Sequence, residues 1–250
     1  MRPQARTVPL LCTAALALMT VIAPDGPGLR AAPRKPSDAK RPFTTEFRLA
    51  DCTFASTGSS NPYFILQPGH RLDLAADEDG EAVMLSITVL RDTERIDVPG
   101  VGRVETRVVE EREWVDGELV EVSRNFFAMC QETSDVFYFG EEVDFYEGGV
   151  IVGHDGAWRA GVGGALPGLI MPGRFLLGSR YFQEIAPGVA LDRGENLAMG
   201  LTVETPAGVF RDCVSVTESS ALESGTSLKI YAPGVGLIAD GSITLVSWTR

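Results

Sequence analysis

His154 is one of two histidines in the chain, and its neighbours are residues that acid–base chemistry uses. Asp155 follows it directly, and Trp158 and Arg159 come shortly after, so a base, a carboxylate and an aromatic ring lie close in sequence. General acid–base catalysis needs the imidazole within hydrogen-bond reach of a partner and inside a cleft. An exposed loop histidine beside glycines explains the same residues, and this simpler interpretation is favoured.

The segment 103–115 (RVETRVVEEREWV) alternates in the way that predicts a β-strand. Glu110, Arg112 and Trp114 share one face with several apolar residues, and the opposite face carries Arg107, Val109, Glu111 and Glu113. A buried charge is costly unless it is paired. Glu110 and Arg112 could therefore bind a ligand inside a barrel. The favoured alternative is that the charged end of a long hairpin extends into water.

Aromatic residues crowd into the middle third of the chain, between 126 and 182. They predict either an apolar pocket for a lipid or another hydrophobic small molecule, or an ordinary core closed by the glycine-rich stretch 158–172. Both interpretations remain open. The candidate ligand-binding residues are Glu110, Arg112, Trp114, Tyr138, His154, Trp158, Arg159 and Tyr181.

Composition and motifs exclude several classes of function. The formal net charge is −12, which disfavours nucleic acid and anionic membranes as partners, because both attract clustered Lys and Arg. The sequence contains no nucleophile elbow, zinc-binding helix motif or P-loop. The acidic runs 77–79 and 141–147 do not match a calcium-binding EF-hand loop. We therefore assign no catalytic residue, no metal site and no cofactor.

The chain from 43 to 250 is predicted to be a single all-β domain. About twelve short alternating segments follow one another at regular spacing, and 61–69 is one of them. Asp116-Gly117 and Gly148-Gly149 provide hairpin turns. Outside the N-terminus no segment of ten or more residues has helical spacing. The architecture expected is an antiparallel meander curled into a barrel or half-barrel, with few or no helices.

A set of motifs in this region resembles a family of uncharacterised exported bacterial proteins. The motifs are 61–64 (NPYF) with 67–69 (QPG), 106–112 (TRVVEER), 116–121 (DGELVE), 138–141 (YFGE), 158–161 (WRAG), 164–165 (GA), 167–168 (PG), 171–172 (MP), 183–184 (QE), 186–188 (APG) and 231–237 (YAPGVGL). The resemblance spans nearly all of 43–250. It implies an exported β protein and no particular activity.

The segment 1–32 has the layout of a secretory signal peptide. Two arginines precede an uncharged Leu/Ala-rich run at 7–23, and small residues at 23 and 31–32 offer cleavage positions. The run is shorter than the roughly 20 residues that comfortably span a bilayer. We therefore predict cleavage, export to the periplasm, envelope or exterior, and no stable membrane insertion afterwards. The basic, proline-rich segment 33–42 is predicted to be a disordered linker.

Three cysteines follow the signal segment: Cys52, Cys130 and Cys213. In an oxidising compartment, one disulfide and one remaining thiol are the simplest arrangement. Cys130 and Cys213 both lie in strand-like segments, so we expect these two to pair. The alternative is that all three are small buried apolar residues.

These observations predict an exported, non-enzymatic binding or carrier protein with an apolar ligand pocket. Two alternatives stay open. One is a secreted hydrolase-type enzyme that uses carboxylates or His154, and the other is a structural envelope protein without a ligand.

Overall fold

The computed structural model describes residues 41–78 and 80–250, and strands dominate them. Their only helix is a single 3-10 turn, Leu49–Asp51, and no helix in this part of the chain could span a bilayer. The predicted all-β fold class is confirmed. The predicted signal peptide 1–32 and most of the predicted linker 33–42 lie outside the described residues.

The strands are β1 (Phe54–Ala55), β2 (Arg71–Glu78), β3 (Glu81–Val98), β4 (Gly102–Val115), β5 (Glu118–Cys130), β6 (Val136–Glu147), β7 (Val150–Gly153), β8 (Trp158–Arg159), β9 (Leu166–Met171), β10 (Arg180–Phe182), β11 (Glu184–Ile185), β12 (Asp192–Thr205), β13 (Gly208–Ser220), β14 (Ser227–Ala232), β15 (Gly236–Asp240) and β16 (Ile243–Thr249).

These strands form one antiparallel sheet that curls into a nearly closed barrel. Its order is β10-β12-β13-β14-β15-β16-β2-β3-β4-β5-β6-β9-β11, so consecutive strands are mostly neighbours, as in the predicted meander. The two ends of the sheet are joined by the chain itself, because only Gln183 separates β10 from β11. β10 pairs with β12 and β11 pairs with β9, which closes most of the remaining gap.

The β4–β5 hairpin turns at Asp116 and Gly117, as their residue types predict. Both residues have positive φ, 51° and 81° respectively. A two-residue type I′ turn requires this conformation, and an Asp-Gly pair adopts it readily. The ladder then begins with Val115 opposite Glu118. The turn therefore fixes which residues of the two long strands share a face.

Residues 61–69 do not form the strand that their alternation predicts. Asn61 is fully buried, and its Oδ1 accepts hydrogen bonds from the backbone N–H groups of Tyr63 (2.9 Å) and Phe64 (3.1 Å). Such local bonding competes with ladder pairing, and the prolines at 62 and 68 remove two backbone donors. The segment instead borders a cavity in the barrel, which Tyr63, Phe64 and Ile65 line.

The disulfide joins Cys52 to Cys130, so the predicted Cys130–Cys213 pair is wrong. The two-residue strand β1 begins two residues after Cys52 and pairs Phe54 with Cys130. This pairing brings the Cα atoms of Cys52 and Cys130 to 5.1 Å, within the range that a disulfide spans. Cys213 is buried on β13 and unpaired, and burial raises the pKa of its thiol to about 11.

The glycine-rich stretch 158–172 is part of the barrel wall. Its two strands, β8 and β9, both pair with β6. Between them Gly161 has φ +84°, and a Cβ atom there would lie 2.5 Å from the backbone oxygen of Asp97. Glycine is required at this position because of both the left-handed backbone and the close approach of the neighbouring chain.

Candidate functional site

A cavity of about 270 Å³ lies inside the barrel. Strands β2–β6 line one side of it and β11–β15 the other. On its lining, the ring of Phe64 packs against Phe127 with 4.9 Å between centroids. The volume holds about nine water molecules at ~30 Å³ each. It is close to the lower limit of about 300 Å³ for typical small-molecule sites.

The lining of this cavity is partly apolar and partly acidic. Its apolar part includes Phe64, Leu72, Leu85, Ile87, Val89 and Leu237. Its ionisable part consists of seven carboxyl groups, one ammonium group and one imidazole: Glu111, Glu121, Glu141, Glu184, Asp192, Glu218, Asp240, Lys229 and His70. The aromatic content predicts an apolar pocket, and the cavity inside the barrel is apolar over part of its lining only.

Three neighbouring strands, β4, β5 and β6, build an acidic wall whose defining residues are Glu111, Glu121 and Glu141. Glu111 lies opposite Ser123, and Asn125 lies opposite Glu141. Directly opposed residues in an antiparallel ladder point to the same face, and here that face is the cavity. In the described part of the chain, no Lys or Arg forms an ion pair with these three carboxyl groups.

The carboxyl groups of the acidic wall bind protons more tightly than exposed ones do. Burial raises the pKa of Glu141 to about 8, with added repulsion from Glu111 and Glu121. Burial likewise raises the pKa of Glu121 to about 7, again reinforced by neighbouring carboxylates. Burial is also the main reason that the pKa of Glu111 is raised. Negative charge held away from water without a cation is disfavoured.

Lys229 supplies the one ammonium group in the cavity lining, across from the acidic wall. Its Nζ lies 2.9 Å from Oδ2 of Asp240 and 3.3 Å from Oε2 of Glu218. Although burial opposes the charged form, these carboxylates raise the pKa of Lys229 well above its usual value. Burial also opposes ionisation of Asp240, but Lys229 lowers its pKa. Burial raises the pKa of Glu218, so one cation mainly stabilises one carboxylate.

The region where the barrel closes, around Gln183 between β10 and β11, extends the acidic lining of the cavity. The Nε2 group of Gln183 donates to Oε1 of Glu218 at 2.5 Å, and the backbone N–H of Asp192 donates to Oε1 of Glu184 at 2.5 Å. Glu184 is only 2% exposed. Burial, followed by repulsion from Asp192, raises the pKa of Glu184 well above its usual value.

Tyr138 and Trp158, two of the predicted ligand-binding residues, lie side by side on the cavity lining. Their rings meet edge to face at 5.1 Å, and Tyr138 stacks on Phe127 at 4.8 Å. The Tyr138 hydroxyl donates to Oδ1 of Asn125. Trp158 is 7% exposed, and its indole N–H has no hydrogen-bond partner among the described residues. Buried indole N–H groups usually have one.

Glu110 and Arg112 lie on the outer face of β4, away from the cavity. Nε of Arg112 is 2.7 Å from Oε1 of Glu110, and Nε of Arg124 is 3.5 Å from Oε2 of the same carboxylate. Arg124 also contacts Asp144, with 3.2 Å between Nη1 and Oδ2. The structure thus places the predicted Glu110–Arg112 pair in a surface network, where any ligand would bind outside the barrel.

His154 joins the same outer network. Its Nδ1 lies 3.0 Å from Oδ1 of Asp144 and 2.8 Å from the backbone oxygen of Val143. The side chain is 66% exposed, and its carboxylate neighbour is Asp144 rather than Asp155. The arrangement matches the simpler interpretation of an exposed histidine. It does not bring His154 into the barrel cavity, whose one imidazole is that of His70.

The remaining predicted residues also lie outside the cavity. Trp114 is on the outer face of β4, near the hairpin tip. Arg159 contacts the carboxylates of Glu94 at 2.7 Å and Glu142 at 2.9 Å. Tyr181 is buried, and its hydroxyl donates to Oδ1 of Asn196 at 2.9 Å. Of the eight residues predicted from the sequence, the structure brings only Tyr138 and Trp158 together on the cavity lining.

Within residues 41–78 and 80–250, one group of side chains brings three potential metal-ligand atoms within 4.8 Å of one another: Cys52, Cys130 and Glu132. Its two cysteines form the disulfide, so they present no thiolate to a metal. The cavity carboxylates are more widely spread than this. They therefore do not form a compact metal centre in this arrangement.

The acidic wall is absent from the sequence prediction, although 118–130 contains a signal for it. Glu121, Ser123 and Asn125 alternate with Val122 and Phe126 along this strand. A polar face of this kind normally faces water, and the apolar face normally faces the core. Here the polar face borders an internal cavity, and a sequence pattern does not distinguish that cavity from bulk solvent.

No protein-family model matches the chain, and no curated protein matches it. A solved structure of a putative lipoprotein from Parabacteroides distasonis ATCC 8503 is similar, with a TM-score of 0.33 and 14% sequence identity. The match covers 78% of this chain and 100% of the other. Similarity at this level carries no conclusion about a ligand or an activity.

Proposed function

We propose that this protein is an exported binding or carrier protein that holds a small molecule inside its barrel. The observation that carries the proposal is the internal cavity of about 270 Å³ with an apolar part and an ionisable part. Ligand sites are typically enclosed, largely apolar, and supplied with a few polar groups that orient the ligand. A structural protein without a ligand has no need of buried carboxylates, which cost stability.

Two features support export. The N-terminal segment has signal-peptide character, and Cys52 is joined to Cys130 by a disulfide. Disulfides persist in oxidising compartments and are rare in the reducing cytosol. A periplasmic, envelope or extracellular location satisfies both features.

The apolar part of the lining favours a ligand with a hydrophobic portion, as the aromatic content of the sequence predicts. Leu72, Leu85, Ile87 and Val89 come from adjacent strands and form one continuous apolar surface. This surface accounts for part of a ligand only, because carboxyl groups line the rest of the cavity.

Native mass spectrometry of the protein recovered from the exported fraction tests this proposal. We expect extra mass that disappears on denaturation, and equal native and denatured masses would refute ligand carriage. Ser123→Phe, which fills the cavity from β5, should lose the extra mass. Arg124→Phe on the outer face of the same strand should keep it. The denatured mass also reports signal cleavage and, without reductant, the disulfide.

A further inference from the structure

The cavity lining has more carboxyl groups than its cationic side chains can pair with. Seven carboxyl groups and one ammonium group line the cavity, and Lys229 is already in contact with Asp240 and Glu218. In the described structure none of Glu111, Glu121 and Glu141 forms an ion pair with a cationic side chain, although Lys229 lies near enough to Glu111 to offset part of the rise in its pKa. Carboxylates that are withdrawn from water are normally paired, so these three half-buried groups favour a proton or a cation from outside the chain as their partner.

The unpartnered indole N–H of Trp158 is an independent indication of a ligand. Trp158 is 93% buried, given its 7% exposure, and it lines the same cavity. It lies directly opposite Glu141 in the β6–β8 ladder, so the donor and the carboxylate share one face of the sheet. A ligand that offers an acceptor oxygen would satisfy the N–H while its cationic group contacts the carboxylate.

The spacing of the carboxylates favours an organic cation over a metal ion. A bound Ca²⁺ or Mg²⁺ gathers several oxygen ligands within about 2.0–2.6 Å of the ion. No three cavity carboxylates in the described structure offer oxygens within 4.8 Å of one another. An ammonium group instead needs only two or three acceptors, and the rings of Tyr138 and Trp158 beside it add cation–π attraction.

We infer that the cavity binds an organic amine, with its ammonium group among Glu111, Glu121 and Glu141, an acceptor oxygen at the Trp158 indole N–H, and an apolar body against β2 and β3. The apolar body fits the surface formed by Leu72, Leu85, Ile87 and Val89. This inference rests on the proposed binding function and names the chemical class of its ligand.

A series of three matched compounds tests the charge of the ligand by isothermal titration calorimetry. The compounds are 2-amino-1-phenylethanol (a cation), 1-phenyl-1,2-ethanediol (neutral) and mandelate (an anion), which share the ring and the benzylic hydroxyl. At pH 8 we expect the amine to bind about tenfold or more tightly than the diol, since charge-assisted hydrogen bonds contribute more than neutral ones. Mandelate should not bind measurably.

Variants of adjacent residues on opposite faces of β4 provide the internal control. Glu111→Gln and Glu141→Gln should each weaken amine binding by about tenfold, and Glu110→Gln on the outer face should leave it unchanged. Glutamine resembles a protonated carboxyl group, so the inner variants should fold, and circular dichroism checks this. Trp158→Phe should weaken binding of the amine and the diol alike, because both carry the hydroxyl.

Each other outcome overturns the inference in a distinguishable way. If the diol or mandelate binds as tightly as the amine, the cation is refuted while small-molecule carriage stands. If none of the three binds, the inference fails, and the native mass comparison alone decides the proposed function. Saturable binding of Ca²⁺ that Glu111→Gln abolishes would reassign the acidic wall to a metal ion and also refute an amine.

Discussion

The inner and outer faces of the β4–β6 wall both carry carboxylates but stabilise them differently. On the outer face, Glu110 and Asp144, whose side chains are 13% and 18% exposed, both contact Arg124. On the inner face, Glu111 and Glu121 form no ion pair with an arginine or lysine in the described structure, and burial raises both pKa values, although Lys229 offsets part of the rise for Glu111. Outer pairs of this kind contribute little to stability, whereas inner carboxyl groups retain unsatisfied charge that protons or a ligand can neutralise.

The largest effect should follow from removing one cation on each face. Lys229→Met leaves Asp240 and Glu218 without their ammonium partner inside the barrel, and we expect a loss of about 3 kcal/mol in unfolding free energy. Arg112→Met, whose side chain is 42% exposed, should cost less than about 1 kcal/mol. Urea denaturation measures both. Equal losses would show that the two faces do not differ.

The next prediction concerns two glycine substitutions that follow β8, the strand that carries Trp158 on the cavity side. Gly161→Val combines positive φ with a Cβ 2.5 Å from a backbone oxygen, and should cost about 2 kcal/mol or more. Gly164→Val shares the positive φ but meets open space, so its cost should be nearer 1 kcal/mol. Thermal melts compare the two. Similar melting temperatures would mean that β8 tolerates displacement.

The inner carboxyl groups should also make the stability of the protein depend on pH. A carboxyl group whose pKa is raised in the folded state stabilises the fold below its unfolded pKa of about 4.5 and loses that contribution as pH rises through the folded pKa. For Glu121 and Glu141 this places the loss between pH 4.5 and about 7 and 8, respectively. The melting temperature of the ligand-free protein should therefore fall by about 5 °C or more from pH 5 to pH 8.

The double variant Glu121→Gln/Glu141→Gln should show a smaller decline over this range, because neither position titrates any longer. Glu110→Gln should decline like the unmodified protein. The charged and titratable groups around the two titrating carboxyls are Glu111 and Glu113 on the neighbouring strand, Tyr138 on β6, and Glu184, Asp192, Glu218, Lys229 and Asp240 elsewhere on the lining. A double variant with an unchanged pH profile would assign the decline to these neighbours.

The smallest effect concerns the outer network by itself. A double-mutant cycle on Arg124→Met and Asp144→Asn should give a coupling energy of about 0.5 kcal/mol that decreases in high salt, because the contact lies near the surface. A coupling energy of several kcal/mol would make this network as strong as the half-buried Lys229 cluster and remove the contrast between the faces.

Turn residues and side-chain alternation predicted the strands of the barrel correctly where no other interaction competed with them. The Asp116-Gly117 turn formed because those residues adopt positive φ, and the alternating segments on either side became β4 and β5. The prediction for 61–69 failed because Asn61 bonds to its own neighbouring backbone. The cysteine prediction failed because a two-residue strand was enough to bring Cys52 beside Cys130.

The site was harder to predict, because alternation separates two faces without saying which one is inside. At the middle of β4, Val108 and Val109 are both buried although they face opposite ways. The apolar residues therefore do not identify the inner face. The sequence pattern grouped Glu110 with Arg112 and Glu111 with Val109, and only the curled sheet placed Glu111 in the cavity.

The sequence by itself determined the β class and the main hairpins, since turn conformation and side-chain alternation are local properties of the chain. Only the tertiary structure decided which carboxylates are enclosed together. Glu111, Glu141 and Glu218 lie on different strands, and they line one cavity because the sheet closes through Gln183. Burial and mutual repulsion, which shift their pKa values, arise from that closure and have no counterpart in the linear pattern.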